Sequence, residues 1–425
     1  MRAVGHIAKA GLLFICFGCS SGIEFGQAVA GEFDWPGWQG PNRDAVSTET
    51  GLLKEWPEGG PRRVWLFSKA GKGYSGPAIV DGRLFIMGTE GSGEATREVL
   101  FALDAAKGTP IWKAPIGDLL TNNWGDGPRG TPTVDGNRVY AMSGRGDLVC
   151  VRAKDGHIEW RRSMTEDFDG RRPNWGYTES VLVDGDLVIC CPGGKKAPVV
   201  ALDKETGEER WRAKGVDSKV HYASVIKIND PPTYVKLTMS EVVGIDPSNG
   251  NIRWKVEFPG RTAVIPTPVY HDGHLFITAG YGVGCKLIRV KGDSAEEVYF
   301  NKVMKNHHGG VLRIGRHIYG YSDQGGWTCL DMLTGKAVWR ERKALGKGAV
   351  TYADGRLYCL EERSGTVALV AATPHGWKEF GRFKLEPQSS IRSPRGKIWT
   401  HPVIANGKLY LRDQEYIYCY DIAAR

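Results

Sequence analysis

Adjacent histidines in Asn306-His307-His308-Gly309-Gly310 are the first residues of this chain to suggest metal or proton-transfer chemistry. Neighbouring side chains on a strand point to opposite faces, so the two cannot serve one ion. One of the pair is expected to face a channel and the other to pack. Asp167 and Asp169 read as an exposed loop, and no ordered carboxylate cluster matches calcium coordination. The cysteines beyond residue 30 are Cys150, Cys190, Cys191, Cys285, Cys329, Cys359 and Cys419. Their number is odd and no Cys-x-x-Cys occurs, so no zinc or other metal site is expected. Gly-x-Ser-x-Gly, a phosphate loop and His-Glu-x-x-His are also missing from the sequence.

A second set of residues forms a site only if distant loops meet. Polar and aromatic side chains recur as Tyr74, Asn123, Trp124 and Arg129, then Asn174, Trp175, Tyr177 and Glu179, then His221 and Tyr222. Arg261, His307, Lys347, Trp399 and His401 continue the series. Trp124, Arg129, Trp175, Tyr177, Glu179, His221, Arg261, His307, Lys347 and His401 are the candidate binding residues, with no catalytic residue assigned. Asn-Trp-Gly occurs twice, at 123–125 and 174–176, either as a site element or as a turn shared by adjacent units.

The elements that would bring these loops together are read from self-comparison. Ala102-Leu103-Asp104 leads to Gly108 and Trp112, and Ala201-Leu202-Asp203 to Gly207 and Trp211. Gly244-Ile245-Asp246 leads to Gly250 and Trp254, and Cys329-Leu330-Asp331 to Gly335 and Trp339. Weaker copies run from Cys150 to Trp160, Val290 to Tyr299 and Leu369 to Trp377, at intervals of about 40 to 50 residues. In each unit alternating apolar residues form a strand, the Asp accepts hydrogen bonds from turn amides, and the Gly takes a positive φ. A tight-turn signal recurs upstream at Val80-Asp81-Gly82, Val134-Asp135-Gly136, Val183-Asp184-Gly185, His271-Asp272-Gly273, Ala353-Asp354-Gly355 and Ala405-Asn406-Gly407. Two hairpins make four strands, and the unit is a β-propeller blade.

Eight aromatic positions (Trp65, Trp112, Trp160, Trp211, Trp254, Tyr299, Trp339 and Trp377) and eight Asp-type positions are offset by one unit. The expected fold is therefore an all-β, eight-bladed propeller of four-stranded antiparallel blades. Its ring is closed by pairing the strand near Arg63–Phe67 with the one near 416–422, which removes exposed sheet edges. Residues 1–30 read as a signal peptide, 31–58 as an N-terminal arm and 59–425 as the propeller.

The phrase Ala-Leu-Asp-x-x-Thr-Gly-x-x-x-Trp resembles the repeat of pyrroloquinoline-quinone-type propellers, a group that includes quinoprotein alcohol dehydrogenases and BamB-like envelope scaffolds. The stretch Trp35-Pro36-Gly37-Trp38-Gln39-Gly40-Pro41-Asn42-Arg43 is similar to the leader of exported quinone-binding-like propellers. The resemblance implies tryptophans packed between blades, and two functional readings follow from it. The first is a non-catalytic propeller that binds a partner protein or envelope component through its channel-mouth loops. The alternative is a PQQ- and calcium-dependent alcohol or sugar dehydrogenase, with Glu179, Asp126 or His221 near the cofactor. Such dehydrogenases often carry a disulfide between adjacent cysteines, which Cys190-Cys191 invites and the turn Pro192-Gly193-Gly194 would permit. The other reading is two buried thiols.

Composition narrows the setting. The 57 glycines in 425 residues keep no three-residue period, and with only 22 prolines the chain is neither collagen-like nor low-complexity. Arg2, His6 and Lys9 precede the apolar run from Ala10 to Phe17 and the small-residue end Ala28-Val29-Ala30, as in a secretory signal. That run falls short of the ~20 residues a membrane helix needs. Cleavage after Ala30 is the first choice and lipid attachment at Cys19 the second. An exported, periplasmic or envelope monomer is expected. The formal charge of +8 is scattered among acids, which does not suggest nucleic acid as a partner.

Overall fold

In the first complete repeat the expected strands are Ala78–Val80, Arg83–Glu90, Arg97–Asp104 and Pro110–Asp118, paired antiparallel in sequence order. The computed structural model describes Met1 and residues 33–216 and 218–424. The expected cleavage site at Ala30 and the lipid site at Cys19 lie outside the described residues. The same meander recurs in blades 2 to 7, spanning residues 133–163, 182–212, 226–257, 269–301, 311–341 and 348–384. Blade 8 is built from both ends of the chain, in the order Arg63–Phe67, Tyr416–Asp421, Lys408–Asp413 and Val403–Ala405. Trp65 lies opposite Cys419 and Leu66 opposite Tyr418, so the ring closes as the offset of the two series requires. Among the described residues no helix is long and apolar enough to cross a membrane.

The repeat phrase is explained by the blade junctions. Asp104 Oδ1 accepts the N–H groups of Ala106 and Lys107 at 2.9 Å each, which fixes the turn. Gly108 then serves twice. Its φ is +69°, and a Cβ there would stand 2.5 Å from the Trp65 ring of the neighbouring blade. Gly156, Gly207 and Gly250 seat Trp112, Trp160 and Trp211 in the same way. Each seated indole donates its N–H to a carbonyl of the next blade: Trp65 to Ala105 (3.0 Å), Trp112 to Ala153 (2.9 Å), Trp160 to Lys204 (3.0 Å) and Trp211 to Pro247 (2.9 Å). Trp339 reaches Thr373 at 2.8 Å, and the Tyr299 hydroxyl replaces the indole by donating to Met332 at 2.7 Å.

Two junctions depart from this device. Trp254 has no hydrogen-bond partner for Nε1 among the described residues, and a Cβ on Gly244 would lie 2.2 Å from its ring. The glycine, in a place held by Ala or Cys opposite Trp65, Trp112, Trp160, Trp211 and Trp339, lets the indole sink onto its own blade. Trp377 does not lie on the last strand of blade 7, which begins only at Glu379. It packs on Trp327 and Trp339 at the junction of blades 6 and 7, because blade 7 lacks the Asp-x-x-x-Gly turn that would place it. Its role at the next junction is taken by Trp56 of the arm. Trp56 packs 5.9 Å from Tyr358, as Trp160 does from Tyr140, and its backbone N–H donates to the Phe380 carbonyl at 2.8 Å, while its indole Nε1 has no partner among the described residues.

The first strands of neighbouring blades lie side by side about the axis, and the arm occupies the space between them. Trp35 bridges to Ile79 of blade 1, and Val134 of blade 2 donates to the Pro36 carbonyl at 2.7 Å. Arg43 donates to the carbonyls of Ser180 (2.6 Å) and Val181 (2.9 Å) in front of blade 3. Val46–Ser47 pairs parallel to the innermost strand of blade 7, Gly348–Ala353. At its two ends, Asp34 accepts from the Asp81 N–H and Glu49 from the Gly407 N–H, both in tight turns on one face, here called the lower face. The arm thus enters from below, turns inside the channel and returns.

Candidate functional site

The loops leading into each innermost strand emerge on the opposite, upper face. There they enclose a cup of about 380 Å³. Trp38, carried up by the arm, closes it from below, donating to Thr267 Oγ1 at 2.8 Å and packing 4.7 Å from the His401 ring. One wall stacks Tyr74, Trp399 and His308, with ring centroids 5.1 and 4.6 Å apart. Across the ring stand Trp175 and Tyr222, 5.8 Å apart, while Trp124 at the lip is 43% exposed.

The polar groups are held by the surrounding blades. Lys347 donates to Asp323 at 2.7 Å and to His307 Nδ1 at 2.8 Å, and His307 Nε2 lies 2.7 Å from the Tyr281 hydroxyl. An ammonium can only donate, so Nδ1 accepts and the neutral ring carries its proton on Nε2. The Tyr281 oxygen receives that proton's bond, leaving its own O–H to point elsewhere, and Tyr281 lines the cup. Burial, followed by Lys347, pushes His307 down to about 3. Burial holds His401 near 4 and His308 well below its ordinary value. His401 Nε2 meets the His308 carbonyl at 2.9 Å, so its proton is there and the buried Nδ1, with no partner among the described residues, is an acceptor.

Arg129 is the charged member of the lining. It lies over the Tyr74 ring at 5.1 Å and donates to the Gly125 carbonyl at 2.6 Å. Its buried Nε has no partner among the described residues, and burial lowers its pKa. The carboxylate of Asp126 is held instead by Lys72 at 2.8 Å.

Five of the ten candidates from the sequence come together in the lining: Trp124, Arg129, Trp175, His307 and His401. Lys347 stands directly behind His307, and His221 lines an adjoining groove. Arg261 is exposed and outside the lining. Tyr177 and Glu179 turn into the protein. The Tyr177 hydroxyl donates to the Pro192 carbonyl at 2.8 Å, and Glu179, 4% exposed, pairs with the wholly buried Lys236 at 3.2 Å. The expectation for the histidine pair is corrected. Residues 306–308 are not a strand, so no alternation separates His307 from His308, and both rings line the cup 3.7 Å apart. Cys190 and Cys191 are free buried thiols. Cys190 packs toward blade 2 and Cys191 toward blade 4, on opposite faces of the sheet. Trp38, His308 and Tyr281 were missed as site residues. Tyr281 belongs to the loop between the second and third strands of blade 5, which also opens upward.

A family model described as outer membrane protein assembly factor BamB matches residues 96–341. BamB of Burkholderia pseudomallei is 23% identical over 391 residues, which cover 88% of this chain and 91% of that protein. Tetrathionate hydrolase of Acidithiobacillus ferrooxidans is 25% identical over 232 residues, 51% of this chain but only 43% of the hydrolase. Among solved structures, BamB of Moraxella catarrhalis superposes with a TM-score of 0.62 at 14% identity, over 86% of this chain and 98% of that one. Quinohemoprotein alcohol dehydrogenase of Comamonas testosteroni gives 0.58 at 12% identity, over 92% and 80%. At these identities the two structures speak to fold alone.

Proposed function

Since the chain belongs to the family described as outer membrane protein assembly factor BamB, we propose that it is an exported, non-catalytic propeller that binds a partner protein or envelope component at its channel mouth. The observation that carries this reading is the cup itself, an aromatic hollow with its floor supplied by the chain's own arm. Its walls are fixed by stacking and by hydrogen bonds to several blades. Binding there orders few new groups, so little of the interaction free energy is lost to loop entropy. The Tyr281 phenol, its pKa raised by burial, stays protonated and serves as a donor rather than a base. We place the protein in the periplasm or cell envelope.

A calcium-held quinone does not fit these residues. Calcium takes oxygen ligands, carboxylates foremost, and among the described residues no carboxylate lines the cup. Glu179 is committed to Lys236 and Asp126 to Lys72, and the two neighbouring thiols face different blade interfaces. The chain's own groups offer recognition: stacking surfaces, the Arg129 cation and the Tyr281 donor.

The test is photocrosslinking in cells producing the full chain, with a photoreactive residue at Trp124 on the lip or at Asn406 on the lower face. A discrete adduct of reproducible identity is expected from the lip position. Adducts from the lower face with none from the lip would overturn the reading.

A further inference from the structure

A second depression of about 400 Å³ continues the cup outward over blades 3 and 4, sharing Tyr222 and Thr262 with it. Arg171, Arg172, Lys195 and Lys219 line it, beside His221. None of these four cations has an ion-pair partner among the described residues, and no described carboxylate lines either depression. Asp169 is engaged with Lys196 (2.7 Å), Asp323 with Lys347 (2.7 Å) and Glu241 with the Ser218 N–H (3.3 Å), while Arg172 also borders a separate depression lined by Asp118, Asp147 and Glu166. Glu98 and Asp126 act on the Arg129 cation through space, but burial outweighs them and no carboxylate is within ion-pair distance among the described residues, so its burial is only partly compensated. An anionic group entering the cup would meet its unpartnered Nε and the Tyr281 hydroxyl.

Resting on the partner-binding reading above, we propose that the mouth receives an acidic, extended peptide segment with an aromatic anchor. The anchor ring enters the cup. There the Tyr74-Trp399-His308 wall faces Trp175 and Tyr222 across the ring, an arrangement suited to offset and edge contacts on both sides of an arene. A carboxylate beside it pairs with Arg129, and flanking carboxylates run along the basic groove. Opposed potentials of this kind speed encounter and reject cationic segments.

The proposal is tested with the full chain and three fluorescein-labelled octapeptides, read by anisotropy. One is made of glutamate and aspartate around a central tryptophan, one replaces every acid by lysine, and one keeps the acids with alanine at the centre. The acidic tryptophan peptide should bind at least tenfold more tightly than either counterpart, and less tightly as salt is raised. The double variant Arg171→Glu with Arg172→Glu, exposed positions that leave the thermal midpoint in place, should weaken it at least tenfold. Arg129→Gln should weaken it as well. Equal binding of the acidic and basic peptides would overturn the proposal, as would binding of polygalacturonate without binding of the acidic peptide. If a lip crosslink captures a partner and the acidic peptide still fails, the peptide assignment falls and the mouth remains an interface.

Discussion

The blade junctions and the channel mouth are made by the same repeats under opposite rules. At four junctions one arrangement recurs: an indole over a left-handed glycine, its N–H on the next blade's carbonyl. At the mouth, blade 2 supplies Arg129, blade 5 Tyr281, blade 6 the two histidines and the arm Trp38. Repetition keeps most of the frame uniform, with departures at the Trp254, Tyr299 and Trp56 junctions, whereas at the upper loops each blade supplies a different side chain, and a change there does not disturb the docking of a blade.

The contrast is broken most severely by Trp56→Ala. This residue fills the place left empty by Trp377 at the junction of blades 7 and 8, beside Phe383, and its loss should cost about 3–5 kcal/mol, read as a lower urea midpoint. Trp377→Ala should cost clearly less. A pair of glycines sharpens the comparison. Gly207→Ala drives a Cβ to 2.7 Å from the Trp160 ring at a φ of +69° and should cost about 2–4 kcal/mol. Gly292→Ala, at a φ of +57° with open space around it, should cost about 1 kcal/mol.

The smallest effect concerns pH at the mouth. His401 is held near 4 and His307 near 3 in the folded protein, against about 6.5 when unfolded. Between these values the unfolded chain binds more protons. The stability these rings contribute is therefore complete above about pH 6.5 and declines as pH falls toward 4 and 3. Glu98, raised by burial to about 7, acts with the opposite sign: its contribution is full below about 4.5 and lost as pH rises through 7. The difference between wild type and His401→Gln in urea midpoint, followed from pH 7.5 to 4.5, isolates the histidine. It should shrink as the pH falls.

The frame was legible because its signals are local and repeated. The offset of the Trp65 and Asp421 series is enough to place both chain ends in one sheet, and Arg63–Phe67 pairs with Tyr416–Asp421 as expected. Trp377 misled because spacing alone cannot show that blade 7 has lost its turn, and nothing in the repeat points to Trp56. At the mouth the lead-in loops were identified, but side-chain direction was not. Trp175 and Tyr177 are two residues apart, and only the first reaches the cup, because the backbone there follows no strand alternation. The arm stretch Trp35 to Arg43 was conspicuous in sequence, yet its path was unreadable, since its partners are carbonyls scattered over blades far apart in the chain.

That path has a geometric consequence. Because the backbone passes up the bore and back, no polymer can be threaded through the ring, which works as a dish rather than a collar. Residue 34 leaves on the underside, so any attachment made through the preceding stretch would tether the molecule by its base and hold the dish open to the surroundings.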